Sequence, residues 1–160
     1  MIIQTQASKP KLAGFSLIEL MITVAIVGIL GTIATAAYTS QMQRSRRTDA
    51  RTALMDTAGR EEKLFTTNNA YSNSPVALGI GSATSFPTAG LPVGSGYYNV
   101  TVAAPDNTQT PAQGFLITAK PVSPGPQTAD AACTSLTVNQ LGVQGSTGTG
   151  TVAACWGTGT

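Results

Sequence analysis

The most pronounced pattern in the chain is an uninterrupted apolar run from Phe15 to Ala37, in which Glu19 is the only charged residue. At a rise of about 1.5 Å per residue, a helix of this length extends about 34 Å, enough to cross a hydrocarbon core of about 30 Å. A charge inside such a segment is costly unless it finds a partner, so Glu19 is a candidate functional residue. The pattern therefore predicts a membrane-spanning helix with its carboxylate one turn inside the N-terminal end.

Helical periodicity continues beyond Tyr38 and extends the predicted helix to about Thr66, where a run of Thr and Asn residues indicates a turn. Small and apolar residues recur on one face of this second half: Ala50, Ala53, Leu54, Thr57, Ala58 and Phe65. A sheet can approach such a face closely. Glu61 falls on the same stripe, and we expect either that the helix rotates there or that Glu61 lies at the edge of the face.

Alternating apolar residues predict a small antiparallel sheet in the last part of the chain. Residues 67–96 are rich in Ser, Gly, Pro and Asn and indicate a long connecting loop. The predicted strands are Tyr97–Ala103, Phe115–Ala119 and Ser135–Asn139, with a possible short fourth strand after the turn from Gln140 to Val143. The inward sides of the first two strands are Tyr98, Val100 and Val102, and Phe115, Ile117 and Ala119. These two strands are expected to be neighbours, joined across Pro105 to Gly114.

The composition argues against an enzyme. Of the 160 residues only 10% are charged and none is histidine, so no Ser-His or Cys-His arrangement can form. Asp106 and Asp130 stand alone in predicted loops rather than as a carboxylate pair. The glycines near the C-terminus do not follow the spacing of a phosphate-binding loop. Neither a cofactor nor a metal is predicted. Abundant Gly, Ser, Thr and Ala suit a domain that packs among copies of itself.

Cys133 and Cys155 are the only cysteines, and they bracket the last segment of the chain. A bridge between them closes a 23-residue loop, which is worth about 3 kcal/mol in the chain-entropy description. Two free buried thiols are the alternative, and the lack of histidine disfavours a metal site. The fold class predicted is α+β, with a long N-terminal helix, apolar in its first half, packed on a small antiparallel sheet of three to four strands and followed by a disulfide-bounded C-terminal loop.

The start of the apolar run resembles a known processing signal. A short basic leader precedes Ala13-Gly14-Phe15-Ser16-Leu17-Ile18-Glu19-Leu20, and the apolar helix follows. Together these features resemble the class III signal of type IV pilins. The resemblance implies a filament subunit in which prepilin peptidase cuts after Gly14 and methylates the new N-terminal Phe15. It further implies that Glu19 accepts the positive amine of a neighbouring subunit during assembly.

The C-terminal part resembles the same family more weakly. The segment from Cys133 to Gly142, with the closing Cys155-Trp156, is similar to a subgroup of small pilins that includes minor, filament-incorporated subunits. In one place the chain departs from the family, because Ala36 lies in the region where pilins usually carry a helix-kinking proline. Gly28 and Gly31 still lower helix propensity by about 1 kcal/mol each. We therefore expect local weakness near Gly28 to Thr35 rather than a sharp kink.

Charges on the two sides of the apolar run give conflicting topologies. Lys9 and Lys11 precede it, whereas Arg44, Arg46, Arg47 and Arg51 follow it, so charge counting alone places the C-terminal domain in the cytoplasm. The cytoplasmic face expected for the peptidase and the oxidising compartment expected for the cysteines both favour an N-terminus inside. The predicted location is the inner membrane before assembly and then the extracellular pilus filament. The arginines after the apolar run could form a patch for DNA or lipid. Because Asp49 and Asp56 lie among them, we instead expect a solvated helix surface that contacts other subunits.

The predicted organisation is a leader (1–14), an apolar transmembrane and filament-core helix (15–38) and a globular pilin head (39–160). The expected partners are other pilin subunits, prepilin peptidase, an inner-membrane assembly platform and the membrane itself. One rival interpretation remains, because Ala34-Thr35-Ala36 has the small-x-small form that ordinary signal peptidase prefers. Cleavage there releases a secreted domain that begins at Ala37, and Glu19 then has only an interfacial role.

Two function classes follow. The first is a structural subunit, major or minor, of a type IV pilus that supports adhesion, twitching motility or DNA uptake. The second is a pilin-like binding module whose head recognises DNA or a surface ligand, which requires an exposed basic or aromatic strip. The head offers Lys63, Lys120, Tyr97, Tyr98 and Trp156, without evident clustering in the sequence. Nucleic-acid binding is therefore a possibility without support at this level.

Overall fold

A computed structural model describes residues 14–103 and 114–158, and the structural statements below refer to these residues. Residues 1–13 of the predicted leader, with Lys9 and Lys11, and residues 104–113 between the second and third strands, with Asp106, lie outside them. The chain divides into two compact units. We call the described part of the first unit, residues 14–39, the tail, and the second unit, from Ser40 onward, the head.

Helix α1, Leu17–Asn68, contributes to both units and is 52 residues long. Within the tail it is exposed and apolar, and it is long and apolar enough to cross a membrane. Its hydroxyl groups find partners on the helix itself, since Thr23, Thr32 and Thr35 each donate to the backbone carbonyl three residues earlier, at 2.8 to 3.0 Å. Such satisfied hydroxyls are compatible with an apolar environment.

Within the head, α1 buries the small-residue face that the sequence predicts. Ala50, Leu54 and Thr57 are buried there, and Ala53 and Ala58 pack partly against the same core. The helix ends at Asn68, two residues beyond the predicted end, where Asn69 adopts a left-handed φ of 54°. Asparagine tolerates this conformation better than most residues, which makes it a suitable stop for the helix.

Five antiparallel strands form one sheet in the order β1-β2-β3-β4-β5. Their bounds are Leu91–Val93, Tyr98–Ala103, Leu116–Pro121, Ser135–Asn139 and Gln144–Thr147. The predicted neighbours β2 and β3 pair with Val100 opposite Ala119 and Val102 opposite Ile117. All four of these side chains are buried, as the alternation predicts. The described part of the head also contains three short helices: α2 (Pro75–Leu78), the 3-10 helix η1 (Pro126–Ala129) and α3 (Val152–Trp156).

Strand β1 lies inside the segment that the sequence predicts to be a loop. It has three residues, one of which is Pro92, and a strand this short carries little alternation to recognise. Proline lacks a backbone N–H and is tolerated because β1 is an edge strand. Gly90 precedes it with a φ of +82°, and a Cβ there would meet the Val100 carbonyl oxygen at 2.8 Å. The sheet therefore has five strands instead of the predicted three to four.

A disulfide joins Cys133, just before β4, to Cys155 in α3. Between them the chain forms β4, β5 and the start of α3 rather than an irregular loop. Thr151 precedes helix α3 as its N-cap, and its side chain accepts a hydrogen bond from the Ala154 N–H at 3.2 Å. Trp156 is buried and donates from Nε1 to the Gly145 carbonyl at 2.9 Å, which fastens α3 to β5.

One hydrophobic core joins α1 to the inward face of the sheet. Its buried members are Ala50, Leu54, Leu78, Tyr98, Val100, Val102, Phe115, Ile117, Ala119, Cys133, Leu136, Val138, Cys155 and Trp156. The inward side chains of β2, β3 and β4 supply most of the aliphatic surface. This core fixes the positions of the charged groups along α1 that are described next.

Candidate functional site

The residues predicted for cleavage, methylation and assembly lie at the beginning of the tail. Gly14 and Phe15 precede α1, and the Phe15 side chain is 80% exposed. Glu19 lies in the first turn of α1 and is also exposed. The exposed carboxylate is therefore accessible to a partner. The geometry allows the assembly role that the pilin resemblance implies, and that role remains a prediction.

The position of Glu61 differs from the expectation. Glu61 is fully buried, neither at the edge of the face nor turned away from it. Its Oε2 accepts a hydrogen bond from the Ser72 N–H at 3.0 Å, whereas Oε1 is buried without a partner. Burial raises the pKa of Glu61 to about 7, although the bond from Ser72 acts in the opposite direction. The carboxyl group anchors the segment that follows α1.

The arginines of α1 also differ from the expectation of a solvated surface, because one of them is buried. Arg47 is buried and forms a bidentate ion pair with Asp130, from Nε at 2.7 Å and from a terminal nitrogen at 2.6 Å. Asp130, predicted to be alone in a loop, is thus paired across 83 positions of sequence. Gln127 extends the network, since its Nε2 lies 2.9 Å from Asp130 and 3.0 Å from the Tyr98 hydroxyl. Burial raises the pKa of this tyrosine.

A groove of about 780 Å³ lies beside this ion pair, between α1 and the disulfide-linked end of the head. Arg44, Arg47 and Arg51 line it on the helix side, opposite a row of small residues: Ala131, Ala132, Ala153, Ala154 and Gly157. We call it the arginine groove. Asp130 neutralises the charge of Arg47. The positive charge of the groove therefore comes from Arg44 and Arg51.

Arg51 carries its charge in a partly buried position. Its Nε donates to the Cys155 carbonyl at 2.9 Å, which holds the guanidinium against α3. Burial, together with the nearby positive charge of Arg47, lowers the pKa of Arg51. Arg44 is exposed and has no hydrogen-bonding or ionic partner among the described residues. An anion in the arginine groove would relieve the repulsion between Arg47 and Arg51.

The aromatic residues considered for ligand recognition do not form a strip. Tyr98 and Trp156 are buried in the core. Tyr97 lies beneath the guanidinium of Arg46, 4.1 Å from the ring centroid, which is a cation-π contact. The exposed Lys63 and Lys120 lie on different elements, α1 and β3. Among the described residues positive charge is therefore concentrated in the arginine groove. The sequence shows the arginine cluster itself, but not the small-residue wall opposite it or the burial of Arg47, because these depend on the folded chain.

Comparisons with known proteins match both units. Residues 10–35 match the prokaryotic N-terminal methylation motif, and this stretch includes the Gly14-Phe15 junction. Residues 36–137 match the family described as "Type IV minor pilin ComP, DNA uptake sequence receptor". The protein described as "Type IV major pilin protein PilA" of Myxococcus xanthus (strain DK1622) is 37% identical over 70 residues.

These matches differ in coverage. The PilA alignment covers 44% of this chain and 32% of that protein, so the chain spans about a third of the length of this curated relative. The ComP match covers well over half of the chain and includes α1 within the head, β1 to β3 and most of β4. The apolar tail, the α1-on-sheet head and the C-terminal disulfide agree with this assignment, and the chain belongs to the type IV pilin family.

Proposed function

We propose that this subunit of a type IV pilus is processed by prepilin peptidase between Gly14 and Phe15, assembles through Glu19, and serves DNA uptake with the arginine groove of its head. Before assembly it resides in the inner membrane, where it meets the assembly platform, and afterwards it is part of the extracellular filament. The single observation that carries the DNA-uptake part is the ComP family match across the head.

The assembly step is supported by the charge pattern of the tail. Cleavage after Gly14 creates an N-terminal amine at Phe15, and Glu19 is the only acidic residue of the apolar run. Hydrophobic contact alone does little to fix the register between neighbouring apolar helices, because their surfaces are alike along their length. A buried carboxylate that needs one cation can fix their register, and leaving it unpaired costs about 3 to 5 kcal/mol.

Glu19→Ala tests this step. The variant is expected to be cleaved normally, since the junction is intact, and to be recovered poorly in filaments sheared from cells. Glu19→Asp is the matched control, because it retains the charge and should restore part of the assembly. Immunoblots of sheared filaments and of membranes measure incorporation and processing separately. Wild-type incorporation of Glu19→Ala would remove the carboxylate from the mechanism.

The arginine groove supports the DNA-uptake role by its charge and its lining. Phosphate groups of a nucleic-acid backbone bind arginine readily, and such contacts supply most non-specific affinity. Arg44 is exposed and lacks an acidic partner among the described residues, and the small residues opposite leave room for a strand to approach. With only this short row of cations the head is expected to bind duplex DNA weakly and with a strong dependence on salt.

Fluorescence anisotropy of labelled duplex DNA with the full chain in detergent tests this role. Arg44→Ala is expected to weaken binding and to lower the slope of log affinity against log salt by about 1, the loss of one phosphate contact. Lys120→Ala is the control, since it removes one positive charge from the outer side of β3. Equal effects of the two substitutions would show that the groove has no special part. Absence of DNA binding by the wild type would contradict the DNA-uptake role while leaving the filament role intact.

A further inference from the structure

An apolar knob stands on the turn between β4 and β5. Leu141 is 77% exposed and Val143 is 58% exposed. The turn is held firmly, because Oδ1 of Asn139 accepts hydrogen bonds from the N–H groups of Leu141 at 3.0 Å and Val143 at 2.9 Å. Gly142, between them, takes a left-handed φ of 71°. Two aliphatic side chains are thus presented to solvent on a fixed support, which we call the β4–β5 knob.

An apolar cleft lies at the other edge of the sheet. It has a volume of about 390 Å³ and separates α1 from β1. Its apolar lining comes from β1, β2 and the segment before β1: Ile80, Phe86, Leu91, Val93 and Val100. Asp49 and Asp56 belong to its α1 side, and Asp56 is paired with Arg60 at 2.8 Å. We call this the β1 cleft.

We propose that the β4–β5 knob of one copy of this chain docks into the β1 cleft of the next copy in the filament. This contact rests on the assembly of copies proposed above. Strands β1 and β5 are the two opposite edges of the sheet, so each head offers a knob on one side and a cleft on the other. A contact between two different surfaces of identical subunits need not form a closed ring. When the same contact is repeated from copy to copy, it generates an open helical array.

The chemistry of the two surfaces favours a second copy over a charged ligand. Residues 131–158, which carry the knob, contain no Asp, Glu, Lys, Arg or His, so no electrostatic attraction directs this turn to nucleic acid or a lipid headgroup. Removal of aliphatic surface from water into an apolar cleft is favourable by itself. The cleft volume accommodates a leucine and a valine side chain together.

The size of the contact explains why it needs the filament. Two side chains bury far less than the roughly 1,200 Å² of a stable complex between free proteins. Linkage of the copies through their assembled helices raises the effective concentration of knob and cleft, so a weak contact becomes populated. Unassembled heads are accordingly expected to remain separate despite the exposed leucine and valine.

Photocrosslinking in cells tests the contact directly. The variant Leu141→p-benzoyl-phenylalanine of the full chain is irradiated in filaments, which are then sheared and digested. The expected product joins residue 141 of one copy to a peptide from residues 80–93 of another. The control Val76→p-benzoyl-phenylalanine places the same probe at a residue that is 53% exposed on α2, outside both surfaces, and is expected to give no such product.

A second variant measures the consequence for assembly. Leu141→Ser is expected to lower recovery of sheared filaments by about tenfold or more, as loss of a buried leucine contact predicts, whereas Val76→Ser leaves recovery unchanged. Both variants should unfold in detergent at the wild-type temperature. The proposed contact would be overturned by crosslinks to another region or another protein, by the absence of any crosslink, or by full assembly of Leu141→Ser. None of these results would contradict assembly of the chain into filaments. If the wild-type chain were absent from sheared filaments, assembly itself would fall, and the contact with it.

Discussion

Two buried carboxylates of the head are stabilised in different ways. Asp130 faces the guanidinium of Arg47 and also accepts a bond from Gln127. Glu61 has one backbone N–H from Ser72 as its partner, and no cation is among the groups that shift its pKa. The negative charge of Glu62, whose carboxylate accepts a hydrogen bond from the Tyr71 hydroxyl at 3.0 Å, further raises the pKa of Glu61. Burial without a cationic partner therefore favours the protonated form of Glu61.

Glu61 predicts that the head becomes less stable as the pH rises. Its pKa is about 7 in the folded chain and 4.5 without the burial. The folded state binds more protons than the unfolded state between these values, so the free energy of unfolding falls as pH rises from 4.5 to 7. The loss is complete above pH 7 and amounts to about 3 kcal/mol. Denaturant unfolding of the full chain in detergent at pH 5 and pH 8 measures it.

Glu61→Gln removes the titrating group but can still accept the hydrogen bond from Ser72. The variant is expected to be more stable than the wild type at pH 8 and to lose this pH dependence. Glu62→Gln is the matched control, because Glu62 is the exposed neighbour in the same helix. It removes only the smallest of the effects that raise the pKa of Glu61, so most of the wild-type slope should remain. An unchanged slope in Glu61→Gln would contradict the assignment of the pH dependence to this carboxyl group.

The Arg47–Asp130 pair predicts a large cost when one partner is removed. Asp130→Ala leaves a buried guanidinium without its counter-ion, which destabilises a fold by about 3 to 5 kcal/mol. Asp56→Ala is the comparison, because the Arg60–Asp56 pair has side chains 41% and 57% exposed, and such surface pairs contribute about 0.2 to 1 kcal/mol. Unfolding midpoints of both variants test this order, and equal losses would show that burial does not govern the strength of the Arg47–Asp130 pair.

At the scale of elements, sequence patterns predict what depends on local periodicity. The buried alternation of β2 and β3 and the small-residue face of α1 are confirmed, because periods of 2 and 3.6 residues are visible within one segment. Strand β1 escaped prediction because a three-residue edge strand is too short to alternate. The partners of Asp130 and Glu61 escaped because they come from other elements, Arg47 of α1 and Ser72 after α1, whose proximity only the folded chain defines.

The disulfide is the element-level constraint that the sequence did predict, and its energetic effect is testable. Replacing Cys133 and Cys155 by serine is expected to lower the free energy of unfolding by about 2 to 5 kcal/mol, because the unfolded segment regains its loop entropy. Reductant should lower the unfolding midpoint of the wild type to a similar degree. The double variant is its own control, since reductant should leave it unchanged. A double variant as stable as the oxidised wild type would contradict the bridge as a stabilising link.

At the scale of the whole molecule, the two units have complementary requirements. The tail exposes an apolar helix that is long and apolar enough to cross a membrane. The head has its own core and its own covalent link. A chain built in this way can reside in a membrane as a single copy and then exchange lipid for neighbouring subunits without refolding of the head.

Intact-mass analysis of the chain recovered from sheared filaments tests this account most directly. The predicted mass corresponds to residues from N-methyl-Phe15 onward with one internal disulfide between Cys133 and Cys155. That result joins processing, methylation and incorporation in one measurement on one molecule. A chain that begins at Ala37, found in the culture medium and absent from the filaments, would contradict the account and establish a secreted domain instead.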